Sequence, residues 1–453
     1  MLFCLWILTL LLAIASYWIF RRDILAPCTL FVGGFLFSLS WALVYSPNWA
    51  FILHDETFAV VFLALLTFIF IASVVHVVLA KPKQRQIASN ADSPLVVEDK
   101  LASFQLPLKV IVPVMLLQLV VLLLTYSRIC YLFPSDGLLT SISWYNNAVK
   151  FSTDTSIETY LGFPLAPLRS FIICMGYVTT FYFANSIVNK RWNSETVFLA
   201  FSFLLSVAIQ MSTGGRLPVL LQLFLFLVCA LYCYRRINGK DYVVPKKVKR
   251  ILLVSIVLGL VLFELSAALI GRASDRDPLE YLAIYLGAQI PNLDQFIQSG
   301  GQHMHDVFGY MTFISLNNWI GGKFHINSLV YTFDQPFLQM NLRDMGNVYS
   351  ILYSFYYDFG FAGVVPLTGL MAFISQFVYE KWAVKKLSLV TPSFLTLVYG
   401  DIAYCVFMSF YCNRFYEDLA CIAFLYQLVY IFVADYLISR FAFTRPSRSK
   451  IGC

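Results

Sequence analysis

The sequence predicts an all-α polytopic membrane protein of about eleven transmembrane helices, with one large polar exterior loop in its C-terminal half. Three observations predict it. First, 59% of the 453 residues are hydrophobic and only 13% are charged, with a mean hydropathy of +0.73, which is more apolar surface than a water-soluble domain can bury. Second, the apolar residues fall in runs of about 20, each long enough to cross a bilayer as a helix. Third, one stretch of the C-terminal half, 271–360, breaks this pattern with acidic, amide and aromatic side chains.

The predicted spans are roughly 2–20, 24–45, 57–80, 107–126, 163–188, 196–213, 217–234, 251–270, 361–380, 391–412 and 419–439. The first has no basic residue before it and no small-residue cleavage site after it, and Arg21 and Arg22 follow at once; it reads as a retained anchor, not a signal peptide. Three segments follow from the spans: an N-terminal bundle of about eight helices over 1–270, the exterior loop with interfacial helices over 271–360, and C-terminal helices with a cytoplasmic tail over 361–453. A moderate loop is expected at about 127–162. The stretch from Lys81 to Lys100 reads as a polar linker.

Orientation follows from Lys and Arg, which stay on the cytoplasmic side during insertion. With the N-terminus outside, 23 of the 32 basic residues fall in connections placed inside. The net charge of +7 is then a product of topology and of an anionic inner leaflet, and no nucleic-acid partner is called for. The ten cysteines are scattered through apolar stretches without paired spacing, so neither a disulfide framework nor a zinc site is indicated.

In the exterior loop, four basic residues stand against eight acidic ones among many Tyr, Phe and Trp side chains. The subsegments 279–297 and 306–320 are apolar but interrupted by Pro291, Asp294 and the Asn317–Asn318 pair. They read as helices that lie at the interface or re-enter from outside. Aromatic faces beside carboxylates also suit a sugar, whose apolar face stacks on a ring while its hydroxyls bond to acceptors. An interfacial aromatic belt accounts for the same composition.

The basic residues outside or close to that face are mostly arginine, and they cluster where spans emerge: Arg216 after Gly214-Gly215, Arg272 after Gly271, and Arg414 between the last two spans. A guanidinium is costly to desolvate there, and it is the side chain best shaped to grip phosphate. Each can instead snorkel, or pair with a carboxylate such as Glu417 or Asp418. Arg276 and Arg343 join this set as candidate phosphate ligands. His303, His305 and His325 share the loop as candidates for a general base; no further ligands at metal-binding spacing accompany them. Within spans only isolated polar residues occur, namely His76, Arg169, Glu264, Asp401 and Asp435, where a transporter would line a cavity with charge.

The segment Gly346-Asn347-Val348-Tyr349, Tyr356-Tyr357-Asp358-Phe359-Gly360 and Gly363, which runs into a span, resembles the oligosaccharide repeat-unit polymerases, the Wzy-type O-antigen and capsule polymerases. The Gly214-Gly215-Arg216 turn and Gly271-Arg272 are similar to that family's arginine positions on the outer face. The resemblance implies a multi-span GT-C-type glycosyltransferase of the bacterial inner membrane, with its large loop and active site in the periplasm. It implies a substrate, an undecaprenyl-pyrophosphate-linked oligosaccharide, and as partners a chain-length regulator and a flippase. No nucleotide sugar, metal or cofactor enters. Arginines would stabilise the departing pyrophosphate, with Arg216 and Arg272 in the catalytic set beside Asp358 as candidate base. Arg276, Arg343, Arg414, Asp294, His303 and His305 would bind substrate. For Asp358, a structural cap or an ion pair with Arg343 is the alternative. An O-antigen ligase and a lipid-linked oligosaccharide flippase are the rival activities.

The orientation has a direct test. In a background lacking native cysteines, a Ser299→Cys variant in intact spheroplasts should react strongly with an impermeant thiol reagent. Reaction only after lysis contradicts the exterior loop.

Overall fold

The computed structural model describes residues 1–79, 104–151, 160–238, 277–303, 305–331, 335–384 and 392–444. Among them, ten helices are long and apolar enough to cross a membrane, at ten of the eleven expected positions. The eleventh, 251–270, lies outside the described residues, as does the Lys81–Lys100 linker. Helix is the expected outcome, because inside a bilayer only intrachain hydrogen bonds can satisfy backbone N–H and C=O groups. The chain divides into two compact units, each discontinuous in sequence: Met1–Lys81, Ser274–Lys386 and Ile402–Leu425 form unit 1, and Pro82–Ala273, Leu387–Asp401 and Tyr426–Cys453 form unit 2.

Unit 1 begins with α1 (Leu2–Ile19), α2 (Pro27–Trp49) and α3 (Asp55–Leu79). Pro27 opens α2 at a position whose N–H needs no partner. Asp55 and Glu56 open α3, where negative charge complements the helix dipole.

Two short helices of unit 1 enter between longer ones. Unit 1 resumes with α9 (Pro278–Gly287) and α10 (Gln289–Gln298). Pro291 has no N–H, and its ring meets the carbonyl four residues back, so α9 stops at Gly287 and the chain bends at Ala288. At the bend Ser38 donates to the Gln289 side-chain oxygen at 3.1 Å. Ser38 lies eleven residues from the end of α2, about 16 Å along a helix at 1.5 Å per residue. Asp294 then returns to His54, just before α3. The pair thus runs along α2 and comes back within unit 1, and eight of the ten α10 residues are buried.

The loop continues through α11 (Ile314–Phe324) and the antiparallel ribbon of β2 (Leu338–Met340) and β3 (Arg343–Gly346). α12 (Ile351–Val384) begins ten residues before the expected span, with a break at Gly360. That residue has φ 59° and ψ −153°, a region open essentially to glycine alone. The sequence pattern marks the resumption of the helix after the break; the aromatic residues ahead of it are helical too. α12 runs parallel to α3. Tyr356 donates to Glu56 at one end, and His76 and Glu380 meet at the other. There Tyr379 also donates to the buried Asp23 carboxylate at 2.7 Å.

Unit 2 packs α4 (Leu108–Leu132), α5 (Leu138–Phe151), α6 (Leu165–Val188), α7 (Ser194–Met211) and α8 (Leu217–Asn238). It also holds most of α14 (Ile422–Ser439) and the first part of α13 (Pro392–Phe407), with β1 (Phe104–Gln105) paired to β4 (Phe443–Thr444). The moderate loop expected at 127–162 contains α5. Small polar side chains bridge the helices: Thr179 to Ser202 at 2.9 Å, Ser202 to Gln118 at 2.9 Å, Ser206 to Gln222 at 2.8 Å and Gln222 to Thr180 at 3.1 Å. Such bonds hold apolar helices together where no hydrophobic force separates lipid from protein.

The polar residues that look isolated in the sequence are paired. Besides His76, Asp401 accepts from Gln427 at 2.8 Å, and Asp435 from Ser393 and Ser439 at 2.5 and 2.7 Å. Arg169 donates to the Ile209 carbonyl at 2.9 Å and to Thr213 at 3.3 Å. Glu264 lies outside the described residues.

The descent of α9 along α2 rests on one close approach. A Cβ on Gly287 would stand 2.7 Å from the Ala42 backbone nitrogen and 2.9 Å from Trp41 Cβ. Gly287→Ala should therefore cost about 1–3 kcal/mol through overpacking, read as a lower unfolding temperature of the detergent-solubilised protein. Gly322→Ala, whose added Cβ meets nothing within 4 Å, should leave that temperature unchanged or raise it.

Candidate functional site

The end of unit 1 that carries 278–350 gathers most of the expected site residues. Its framework starts with Asn292, buried on α10, whose amide donates to the Val348 carbonyl at 2.9 Å and the Met345 carbonyl at 3.3 Å. This fixes the approach to α12. Within α12, Asp358 accepts from the backbone N–H of Met311 at 2.9 and 3.1 Å and of Thr312 at 2.7 Å. On the other side of the same peptide, Asn413 donates to the Thr312 carbonyl at 3.0 Å and the Met311 carbonyl at 3.4 Å.

Asp358 is therefore a clamp on the loop. Both of its oxygens are occupied by amides, the capping alternative to a base, and it stands within a helix two residues before the break rather than at the mouth of a span. Its ion pair with Arg343 does not form: the Arg343 guanidinium bonds Glu280 instead.

The clamped loop carries a set of stacked rings. His305 lies on Tyr310 at a centroid distance of 4.1 Å and 8°, and Tyr310 on Tyr331 at 4.0 Å and 10°. His305 Nε2 is 2.8 Å from the Tyr357 hydroxyl. His303 stacks on Tyr357 at 4.7 Å, and Phe296 packs behind both. Both histidines are exposed, and Tyr310, Tyr331 and Tyr357 are half-buried. Tyr331 is held in place by Asn318 and Asn317, the amide pair that interrupts the second apolar subsegment. His325 stands apart, in the left-handed conformation that ends α11.

Asp294 has a partner the sequence did not reveal. Its Oδ2 is 2.7 Å from His54 Nδ1, and its Oδ1 accepts the His54 backbone N–H at 3.0 Å. The carboxylate is 5% exposed and the imidazole 56%. Two residues on, Glu56 accepts from Tyr356.

Arg414 lies in the short connection between α13 and α14. It donates to Asp418 at 3.2 and 3.4 Å, and its Nε is buried with no hydrogen-bond partner among the described residues. Neighbouring Glu417 is pushed up to about 7 by burial, which Arg414 opposes and Asp418 reinforces. The sequence-level alternative, an arginine paired with a carboxylate, thus holds for Arg414 as well as Arg343.

Arg216 belongs to unit 2. Its turn is set by Gly214, at φ +74°, where a Cβ would stand 2.7 Å from Asn146 on α5. Thr213 in the same turn receives Arg169, whose Nε is buried without a partner among the described residues. Arg272 and Arg276 lie outside the described residues. No group of three or more His, Cys, Asp or Glu side chains among the described residues is placed to hold a metal ion.

No family model, curated protein or solved structure matches the chain. The site is thus read from its own geometry. His54, Asn292, Asn413, Tyr310 and Tyr331 were not singled out from the sequence. For His54 a signal existed: the run His54-Asp55-Glu56 places three polar groups at the start of an apolar span.

The clamp has a measurable consequence. Asp358→Ala removes the acceptor of two backbone amides and should cost about 2–4 kcal/mol, seen as lower membrane abundance and thermal stability. Asp358→Asn keeps one carbonyl oxygen and should lose less. Two variants as stable as wild type would contradict the clamp.

Proposed function

We propose that the protein is a membrane-embedded, metal-independent glycosyltransferase that polymerises lipid-linked oligosaccharide repeat units on the periplasmic face of the bacterial inner membrane. It transfers the growing glycan from undecaprenyl pyrophosphate to the non-reducing end of an incoming unit. The observation that carries this reading is the ring set of His303, His305, Tyr310, Tyr331 and Tyr357 on the clamped loop. Stacked rings that combine two exposed imidazoles with three half-buried tyrosines fit the two-sided chemistry of a sugar, an apolar face and a rim of hydroxyls. A purely interfacial aromatic belt has no use for two histidines held against tyrosines, because such a belt needs only rings with one polar tip.

Unit 2 carries arginines, the side chain best shaped to grip phosphate. Arg169 is held in the bundle by a carbonyl and a hydroxyl, and among the described residues no carboxylate forms an ion pair with it. Its buried Nε leaves a donor that an anion can satisfy. Arg216 shares the turn that Arg169 contacts. The parallel course of α3 and α12 is what an exterior N-terminus and eleven spans require, since both helices then enter from the outside.

A second reading, transport of the same lipid-linked glycan, is favoured by the ionisable pairs inside spans, His76 with Glu380 above all. Deletion in the host separates the readings on a surface-polysaccharide gel. Loss of a polymerase leaves single repeat units attached, loss of a ligase leaves none, and loss of a flippase stops export.

For the arginines, removing one charge-assisted bidentate contact should cost on the order of 2–4 kcal/mol in transition-state binding, about 30- to 1,000-fold in rate. Arg216→Lys and Arg272→Lys should rescue poorly, because a point charge does not reproduce the planar fork. A purified assay with lipid-linked repeat units measures this. If both Lys variants and both Ala variants, normally inserted, build full-length polymer, the phosphate role is wrong.

A further inference from the structure

We propose that His54, oriented by the buried carboxylate of Asp294, is the general base that takes the proton from the acceptor hydroxyl; this rests on the glycosyltransferase reading above. The geometry determines the tautomer. An ionised carboxylate can only accept hydrogen bonds, so at 2.7 Å the His54 Nδ1 is the donor and carries the ring proton. The lone pair is then on Nε2, on a ring that is 56% exposed while its orienting carboxylate is 5% exposed. A buried acid holding the far nitrogen of an open imidazole is the arrangement a base needs, because it fixes ring orientation and stabilises the imidazolium that forms.

A structural role alone does not account for the ring. The connection between α2 and α3 is already tied by the His54 backbone N–H, which donates to the other Asp294 oxygen at 3.0 Å. Any residue except proline supplies that bond. What histidine adds is a second ring nitrogen on a side chain that is 56% exposed. Phe296, two residues beyond Asp294 on α10, packs against His303 and Tyr357, so the same short helix supports both features.

The step balances without a metal. The acceptor oxygen forms a bond to the anomeric carbon, and the bond from that carbon to the pyrophosphate oxygen breaks, its electron pair leaving with the lipid pyrophosphate. The acceptor proton passes to His54 Nε2 and from there to water. Asp294 stays ionised throughout. The charged and titratable groups next to His54 in the chain are Asp55 and Glu56, in the first turn of α3, and Glu56 holds the hydroxyl of Tyr356 from α12.

The test uses the full chain in lipid nanodiscs with undecaprenyl-pyrophosphate-linked repeat units, and measures the pH dependence of kcat/KM. In the wild type, the rate should fall on the acid side along a single-proton limb as His54 becomes protonated and can no longer accept. His54→Ala and His54→Gln should lose about 100- to 10,000-fold, the range for a positioned base, and should lose that limb. Asp294→Asn, whose amide can offer Nδ1 a donor, frees the wrong tautomer and should fall within the same range. Added imidazole should restore part of the rate in His54→Ala. Wild type that polymerises while His54→Ala and His54→Gln keep both its rate and its acid limb overturns the dyad and leaves the polymerase reading standing. A His54→Ala loss that imidazole cannot restore, with the acid limb intact, assigns the residue to structure and also overturns it. Wild type that transfers glycan to no acceptor overturns the polymerase reading, and the dyad with it.

Discussion

Unit 1 depends on the insertion of two short helices alongside α2. The close passage of Gly287 past Ala42, the bond between Gln289 and Ser38 and the proline that ends α9 together allow a chain entering from one end to turn back toward it. Three consequences follow along α10. Asn292 reaches the carbonyls that lead into α12, Asp294 reaches His54, and Phe296 reaches the rings of His303 and Tyr357. The start of α12 in turn presents Asp358 to the Met311–Thr312 peptide. A single packed crossing thereby sets the base, the clamp and the ring set in one frame, which is how a site on a loop acquires the rigidity that transfer chemistry demands.

The carboxylates of this region divide by what already occupies them. Asp358 accepts the backbone amides of Met311 and Thr312 on its two oxygens. Glu280 is engaged by Arg343, and Asp418 by Arg414. Asp294 is buried as well, but it hands its charge to a ring that reaches solvent. Burial penalises a lone carboxylate heavily and a hydrogen-bonded one much less; Glu417, pushed up to about 7, is the case where the compensation is incomplete. In this family of acids, the one whose influence extends to the surface is the one that works through an imidazole.

The spans were legible because crossing a bilayer imposes a length and an apolar content on each segment separately, with no need to know its neighbours. Pro291 and Asp294 marked 279–297 as too short and too broken to cross, and the segment forms two short helices, Pro278–Gly287 and Gln289–Gln298. Pairings were not legible. His76 and Glu380 are 304 residues apart, and His54 and Asp294 are 240 apart; periodicity carries no information on such partners. The start of α12 was missed for a local reason, because a glycine at φ 59° interrupts the helix and the aromatic residues before it read equally well as loop. The partners of Asp358 were not legible either, because the backbone amides of Met311 and Thr312 that reach it come from 47 and 46 residues away.

The ionisable groups inside the spans and those at the loop end of unit 1 differ in one respect that bears on function. Among the described residues, His76 and Glu380 within the spans are 14% and 3% exposed and directed at each other. Closed pairs of this kind suit assembly, since separating them would leave charge in hydrocarbon. Beside the loop the account is left open: among the described residues the His54 ring is bonded on one nitrogen only, and the exposed His303 and His305 rings stack on tyrosines. A pathway through the membrane requires the first group to open and close. Chemistry at the surface requires only that the second stay where the packing of α10 and the grip of Asp358 put it, and it is the second group whose bonding is incomplete.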